Sequence, residues 1–168
     1  MPLKPSRLPS ATLLHEMFSL TEDYRIISKI SRTSRRAGEI ADAHMRAGYR
    51  AIYVDGQMQS AHRVIWVMVH EREPKGYIDH INGDILDNRP ENLREATHAQ
   101  NMCNKKLYKS STSGAKGIHR RKDNGMWRAY ISLEGKRTNV GQFRSREEAE
   151  AALTSVRAKL HGKYARVA

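Results

Sequence analysis

Leu13, Leu14, Met17 and Phe18 fall on one face at helical spacing, with Ser10 ahead of them as a capping residue, so a helix is predicted over about 11–19. The pattern then changes. YRIISKI at 24–30 is rich in β-branched residues and predicts a strand. Residues 31–48, SRTSRRAGEIADAHMRAG, are polar and small with little periodicity, and predict a long loop with a strand remnant. Strand-like runs return in YRAIYV and QMQSA, separated by Asp55-Gly56, a strong signal for a two-residue hairpin turn. HRVIWVMVHE at 62–71 predicts a mostly buried helix, with a strand as the alternative. YID at 77–79 predicts a short strand, and THAQNMCNKK at 97–106 a short helix that Thr97 can cap.

Further along, LYKSSTSGAK at 107–116 has linker composition. Beyond it, GIHRRK, MWRAYISLEG and KRTNVGQF predict three strands, the first two joined across Asp123-Asn124-Gly125. Trp127, Ala129, Ile131 and Leu133 alternate with Arg128, Tyr130, Ser132 and Glu134, which gives the sheet an apolar and a polar face. This alternation favours the helix-packed face for Trp127, with base contact as the alternative. Ser145 and Glu148 form a capping-box pattern ahead of a helix over 146–160, with Ala149, Ala152, Leu153, Val156 and Leu160 as its apolar stripe. The fold class is therefore α+β, ending in a three-stranded antiparallel sheet packed on one helix. The chain shows no internal repeat.

Charge divides this pattern unevenly. Residues 1–101 carry 14 Lys/Arg against 13 Asp/Glu, and residues 102–168 carry 16 against 5, so +11 of the net +12 lies in the tail. A neutral part joined to a basic part points to a polyanion held mainly by one of them, with nucleic acid favoured over anionic membrane. The one cysteine, Cys103, excludes an internal disulfide and a zinc site built on paired cysteines, and fits a reducing cytoplasm. The N-terminus has no long apolar run, so no signal peptide is expected, and VIWVMV at 64–69 is too short to span a bilayer.

Chemistry concentrates in YIDHINGDILDNRPENL, residues 77–93, where Asp79 and His80 are adjacent and turn formers follow. A lone Asp-His pair is weak evidence. Here a strand ends at the pair, a tight acidic loop follows, and the helix after it brings Asn101 and Asn104. Carboxylate and carboxamide oxygens are hard donors suited to Mg²⁺ or Mn²⁺. A neutral imidazole beside such an ion is a candidate base near pH 7. Asp84 and Asp87 read as turn residues, with a reach to the metal as the alternative. His62 reads as a structural hydrogen-bonding residue, with catalysis as the alternative.

DHINGD...DNRPENLREATHAQNMCN resembles an HNH endonuclease of the phage and intron-encoded homing type. The likeness rests on Asp79-His80, on Asn92 and Asn101 at their spacings after it, and on the flanking AHRVIWVMVHEREPKGY and ENLREAT. It implies a ββα-metal core at about 76–105 inside a nuclease domain of 1–106, reached through an N-terminal mixed region. It implies one divalent metal held by Asp79 and Asn101, His80 polarising the attacking water, and Asn92 holding the turn in register. It also implies products with a 5′-phosphate and a 3′-hydroxyl, a phage or mobile-element source and action in the cytoplasm of a bacterial host. Arg89 and Arg94 are candidate phosphate clamps, with a surface salt bridge as the alternative. No structural zinc is expected.

The tail, SGAKGIHRRKDNGMWRAYISLEGKRTNVGQFRSREEAEAAL, is similar to the AP-two/ethylene-response-factor DNA-binding domain in its KGI, WRAYI, GKRTNVGQF and EEAEAA segments. That resemblance implies a DNA-binding domain at 117–168 whose sheet meets double-stranded DNA. Arg120, Arg121, Arg128, Tyr130, Lys136, Arg137 and Arg144 are the expected contacts, arginine suiting guanine edges and lysine phosphate. The expected protein is a monomer or weak dimer that nicks DNA. The alternative is a DNA-binding regulator whose nuclease core no longer cuts.

Overall fold

The computed structural model describes residues 8–104, 115–133 and 136–161. Most of the predicted linker, residues 107–114, lies outside the described residues. The architecture is α+β, with small antiparallel sheets and four helices among the described residues. Backbone packing divides the chain into a first unit, Met1–Glu95, and a second, Ala96–Ala168.

The first unit opens with α1 (Ala11–Met17), capped where expected: Ser10 Oγ accepts from the Leu13 N–H at 3.3 Å. The helix stops short of its predicted end. Phe18 is 2% exposed, and it leaves the helix to start β1 (Phe18–Leu20), which pairs antiparallel with β2 (Ile26–Ser28). Residues 31–48 return beside β2: Ser28 N–H donates to Glu39 O at 2.9 Å and Ala41 N–H to Ile26 O at 2.7 Å. Asp42 is fully buried, and Arg25 Nε donates to both its oxygens at 2.9 and 3.2 Å, which fixes the far end of this excursion. The strand remnant is β3 (His44–Arg46).

β3 pairs with β4 (Tyr49–Val54), and β4 with β5 (Gln57–Ser60). Asp55 and Gly56 both have positive φ, 48° and 73°, the geometry their two-residue turn requires. The apolar run at 62–71 is the buried helix α2 (Ala61–His70). It ends where Glu71 adopts a left-handed conformation and its N–H donates to Val67 O at 2.8 Å. The core of the unit gathers Leu14, Phe18, Ile26, Ile52, Val64 and Ile65. Each such side chain contributes about 1.5–3 kcal/mol by leaving water. Two more members, Ile78 and Leu93, belong to β6 (Tyr77–His80) and β7 (Leu93–Ala96), which form a two-stranded sheet.

The second unit starts with α3 (His98–Asn104). Thr97 Oγ1 accepts from Gln100 N–H at 3.2 Å, and Gln100 Oε1 accepts from Thr97 N–H at 2.7 Å, a reciprocal cap. Then β8 (Ile118–Arg120), β9 (Trp127–Leu133) and β10 (Lys136–Phe143) form an antiparallel sheet in the order β10-β9-β8. α4 (Arg146–His161) packs on it, with Ala129, Ile131, Ala149 and Leu153 buried between. Trp127 and Phe143 are partly buried against that cluster. The capping box forms: Glu148 N–H donates to Ser145 Oγ at 3.1 Å, and Glu148 Oε2 accepts from Ser145 N–H at 3.4 Å. A bulge between Asn139 and Gly141 adds a residue, Val140, to β10. Gly117 has φ 79°, and a Cβ there would lie 2.4 Å from Tyr130 O, so only glycine fits where this strand begins.

Candidate active site

Two apolar anchors position the Asp-His pair. Ile78 and Leu93 sit in the core of the first unit, one on each strand of the β6/β7 ribbon. Asp79 and His80 follow Ile78 directly, and each is only 4% exposed. Burying an ionised carboxylate needs a partner. Arg94, on β7, provides it: Nε and an Nη donate to Asp79 Oδ2 at 2.8 and 2.7 Å. The His80 ring meets Asn88, with Nε2 3.1 Å from Asn88 Oδ1.

The turn-rich loop between the strands is held by its own side chains. Asn92, 6% exposed, closes it: Nδ2 donates to Asp87 O at 2.7 Å, and Oδ1 accepts from Asn82 N–H at 3.0 Å. Ile81 N–H donates to Asn92 O at 2.8 Å. Asp84 Oδ1 accepts from Leu86 N–H at 3.0 Å, and Asp87 Oδ2 from Asn82 Nδ2 at 2.9 Å, so both acids serve the turn. Arg89 grips both oxygens of Asp87 at 2.8 Å and holds that carboxyl down at about 2. Arg89 and Arg94, the two arginines expected at phosphate, thus each hold a carboxylate of this segment.

Behind His80 stands an aromatic group. The His62 ring lies 5.3 Å from the His80 ring and 5.2 Å from that of Tyr49, and Tyr49 is 6.1 Å from His80. Burial, then the charges of His80 and Arg63, push the His62 imidazole down to about 3. The unfolded chain takes up a proton at His62 near pH 6.5 and the folded chain does not, so stability present above pH 6.5 is lost as pH falls toward 3. We expect urea midpoints to decline from pH 6.5 to 5, above the carboxylate range. Over that interval the His62 ring resonances should not move, and His62→Phe should flatten the decline. A His62 resonance that titrates near pH 6.5 would contradict a neutral, buried ring.

The second unit carries the remaining predicted residues. Asn101 is half-buried on α3. On the sheet, register decides which residues share a face. Arg128 pairs with Gln142, Tyr130 with Asn139 and Ser132 with Arg137, so these six line one face. There the Arg137 guanidinium stacks 3.4 Å over the Tyr130 ring, and Arg128 Nε donates to Asn139 Oδ1 at 3.2 Å. Arg120 pairs with Trp127 and Lys136 with Leu133, which puts both on the face toward α4, at the sheet's ends and exposed. Arg121 pairs with Asp123 in the turn after β8, and Arg144 is exposed just beyond β10.

Among the described residues, no three His, Cys, Asp or Glu side chains gather as a metal site. The Asp79 carboxylate by itself offers oxygen donors only. It suits a hard ion that keeps most of its waters. The residues that sequence reasoning missed are Asn88 and Tyr49, together with the pairing of Arg94 to Asp79. Asn88 read as one more turn former, and nothing in the spacing joins it to His80.

Residues 59–103 match the model of the HNH endonuclease family, a stretch from within β5 to within α3 that contains the whole loop just described. That stretch is thus an HNH endonuclease domain within the chain. A nuclease domain of this class implies binding to DNA. Among its relatives, Protein 3.8 of Escherichia phage T7 is 40% identical over 125 residues, 73% of this chain and 98% of that protein. An uncharacterized HNH endonuclease of Acanthamoeba polyphaga mimivirus is 30% identical over 122 residues, 71% of this chain and 62% of its own length. A second one from the same virus is 38% identical over 65 residues, 34% of this chain and 16% of its own length. No solved structure matches. Among the described residues, no helix is long and apolar enough to cross a membrane.

Proposed function

We propose that the chain is a metal-dependent DNA endonuclease that hydrolyses a phosphodiester to a 5′-phosphate and a 3′-hydroxyl. The observation that carries this reading is the buried His80, oriented through Nε2 by Asn88 and adjacent to the buried carboxylate of Asp79. His80 takes the proton of the attacking water. Asn88 holds the ring at Nε2, and Asn92 keeps the loop closed so that the ring does not turn away. Asp79 and, from α3, Asn101 are the proposed ligands of Mg²⁺ or Mn²⁺. When bound, the ion stabilises charge on the phosphate and the leaving oxygen. The second unit grips duplex DNA in the manner of an AP-two-like sheet, through the face of Arg128, Tyr130 and Arg137, with Arg120, Arg121, Lys136 and Arg144 at its edges. One such site per chain makes nicking by a monomer the basic event. The source is a phage or other mobile element, and the site of action is the host cytoplasm.

The ion pair between Arg94 and Asp79 favours a second reading, a DNA-binding regulator that does not cut, because it already balances the charge of the proposed ligand. Supercoiled plasmid carrying DNA of the source genome and its relatives separates the two. We expect open circles with Mg²⁺ or Mn²⁺ and none with EDTA. Plasmid that is shifted on a gel and intact with every metal would establish the regulator.

A further inference from the structure

The excursion at 31–48 carries charge that the active site does not use. Between residues 24 and 36 there are five basic side chains, Arg25, Lys29, Arg32, Arg35 and Arg36, and no acid. Two are occupied: Arg25 holds the buried Asp42, and Lys29 Nζ donates to His15 O at 2.8 Å. The guanidinium groups of Arg32, Arg35 and Arg36 make no ion pair among the described residues.

These three are held on a defined backbone. Arg32 and Arg35 exchange backbone hydrogen bonds at 2.7 and 3.2 Å across the tip Thr33-Ser34, and Arg36 N–H donates to Glu39 Oε2 at 2.9 Å. The turn borders a cleft lined in part by Ser28, Arg32, Ser34, Arg35, Tyr53 and Asp55. Ser28 Oγ is engaged with Ile30 O. The polar lining that remains is two guanidiniums, the hydroxyls of Ser34 and Tyr53, and one carboxylate from Asp55, so it is net positive. Hydroxyls beside arginines are the donor set that phosphate oxygens accept from.

Strand β4 relates this cleft to the active site. Tyr49 and Tyr53 project to the same side of β4, since successive side chains alternate. Tyr49 touches the His62 and His80 rings, and Tyr53 lines the cleft. Four residues of strand at about 3.4 Å each span about 14 Å, the axial length of about four base pairs.

We propose that the turn of Arg32, Arg35 and Arg36 is a second DNA-backbone contact, located on the first unit and taking phosphates of duplex DNA a few base pairs from the cut. The proposal rests on the endonuclease reading. It assigns the first unit, whose net charge is nearly zero, its own hold on the substrate. That hold is independent of the basic sheet and strong enough to set which phosphate meets His80.

The test uses the full chain in EDTA, with binding to labelled duplex DNA followed by anisotropy across a KCl series. For the Arg32→Ala, Arg35→Ala, Arg36→Ala triple variant, the slope of log affinity against log salt should be shallower than wild type by about 2 to 3, at roughly 0.9 for each phosphate no longer neutralised. The corresponding Lys triple should keep the wild-type slope, and all three proteins should melt together, since the turn is largely exposed. A triple-alanine slope equal to wild type, in a protein that still nicks plasmid with metal, would overturn this proposal and leave the endonuclease reading intact. A wild type that binds no duplex would sink both. A slope change seen with RNA or anionic vesicles and absent with duplex DNA would overturn the assignment to DNA.

Discussion

Replacing His80 with alanine should lower the rate of plasmid nicking by about 10²–10⁴-fold, the usual contribution of a positioned general base. Binding to duplex in EDTA should change little, because the residues assigned to DNA lie elsewhere. Burial is the reason to expect so large an effect. An imidazole that is 4% exposed, held at Nε2 by Asn88 and packed against His62 and Tyr49 has one orientation. The ring is therefore held in place, next to the carboxylate proposed to hold the metal. Truncation removes the base and leaves a small cavity beside Asn88. Added imidazole should refill that cavity and restore part of the rate, which separates a lost base from a collapsed loop. A rate unchanged by the substitution would remove His80 from the mechanism.

Arg94→Ala should produce the second large effect, on stability. Asp79 and Arg94 side chains are 5% and 13% exposed, and the substitution strips the arginine from a buried carboxylate. Breaking such a pair from one side costs about 3–5 kcal/mol. In a unit of this size, 3 kcal/mol corresponds to a melting-point drop on the order of 15 °C. The loss should shrink when Mn²⁺ or Mg²⁺ is added, because a cation at Asp79 replaces the missing positive charge. Wild type has less to gain from the same addition. Melting curves of the two proteins with EDTA and with metal measure this directly. An equal metal effect in both would mean that the ion does not meet Asp79. Arg94→Leu would then test whether the pair matters for stability at all.

The pattern of side chains made much of this molecule legible. Helix α2, the β4–β5 hairpin and the three-strand-plus-helix tail are written in local signals: an uninterrupted apolar run, an Asp-Gly turn, and alternation closed by a capping box. The loop after His80 is legible for the same reason, since its asparagines, aspartates and glycine fold it by short-range bonds. What escaped the sequence depends on partners far along the chain. β7 reads LREA, a poor strand former, and it exists because Leu93 seats in the core beside β6. Phe18 continues the helical stripe of α1 in sequence, yet it pairs with Ser28 as a strand. The link of His80 to Asn88 and that of Asp79 to Arg94 span 8 and 15 residues without any periodic cue. The faces of Arg120 and Lys136 follow from register, which no single strand contains.

The bulge in β10 has a consequence for how this edge strand can change over time. Up to Asn139 the odd-numbered residues share a face with Tyr130, and past Gly141 Phe143 turns in toward α4 while Gln142 takes the outer side. Val140 is thus a spare link in the chain. A lineage that loses one residue from this strand can draw the spare into the ladder and keep Phe143 under the helix and Gln142 opposite Arg128. A deletion scan across 136–142 should show this as a tolerated stretch, whereas the same loss in the central strand β9, which has no such slack, should unseat the sheet.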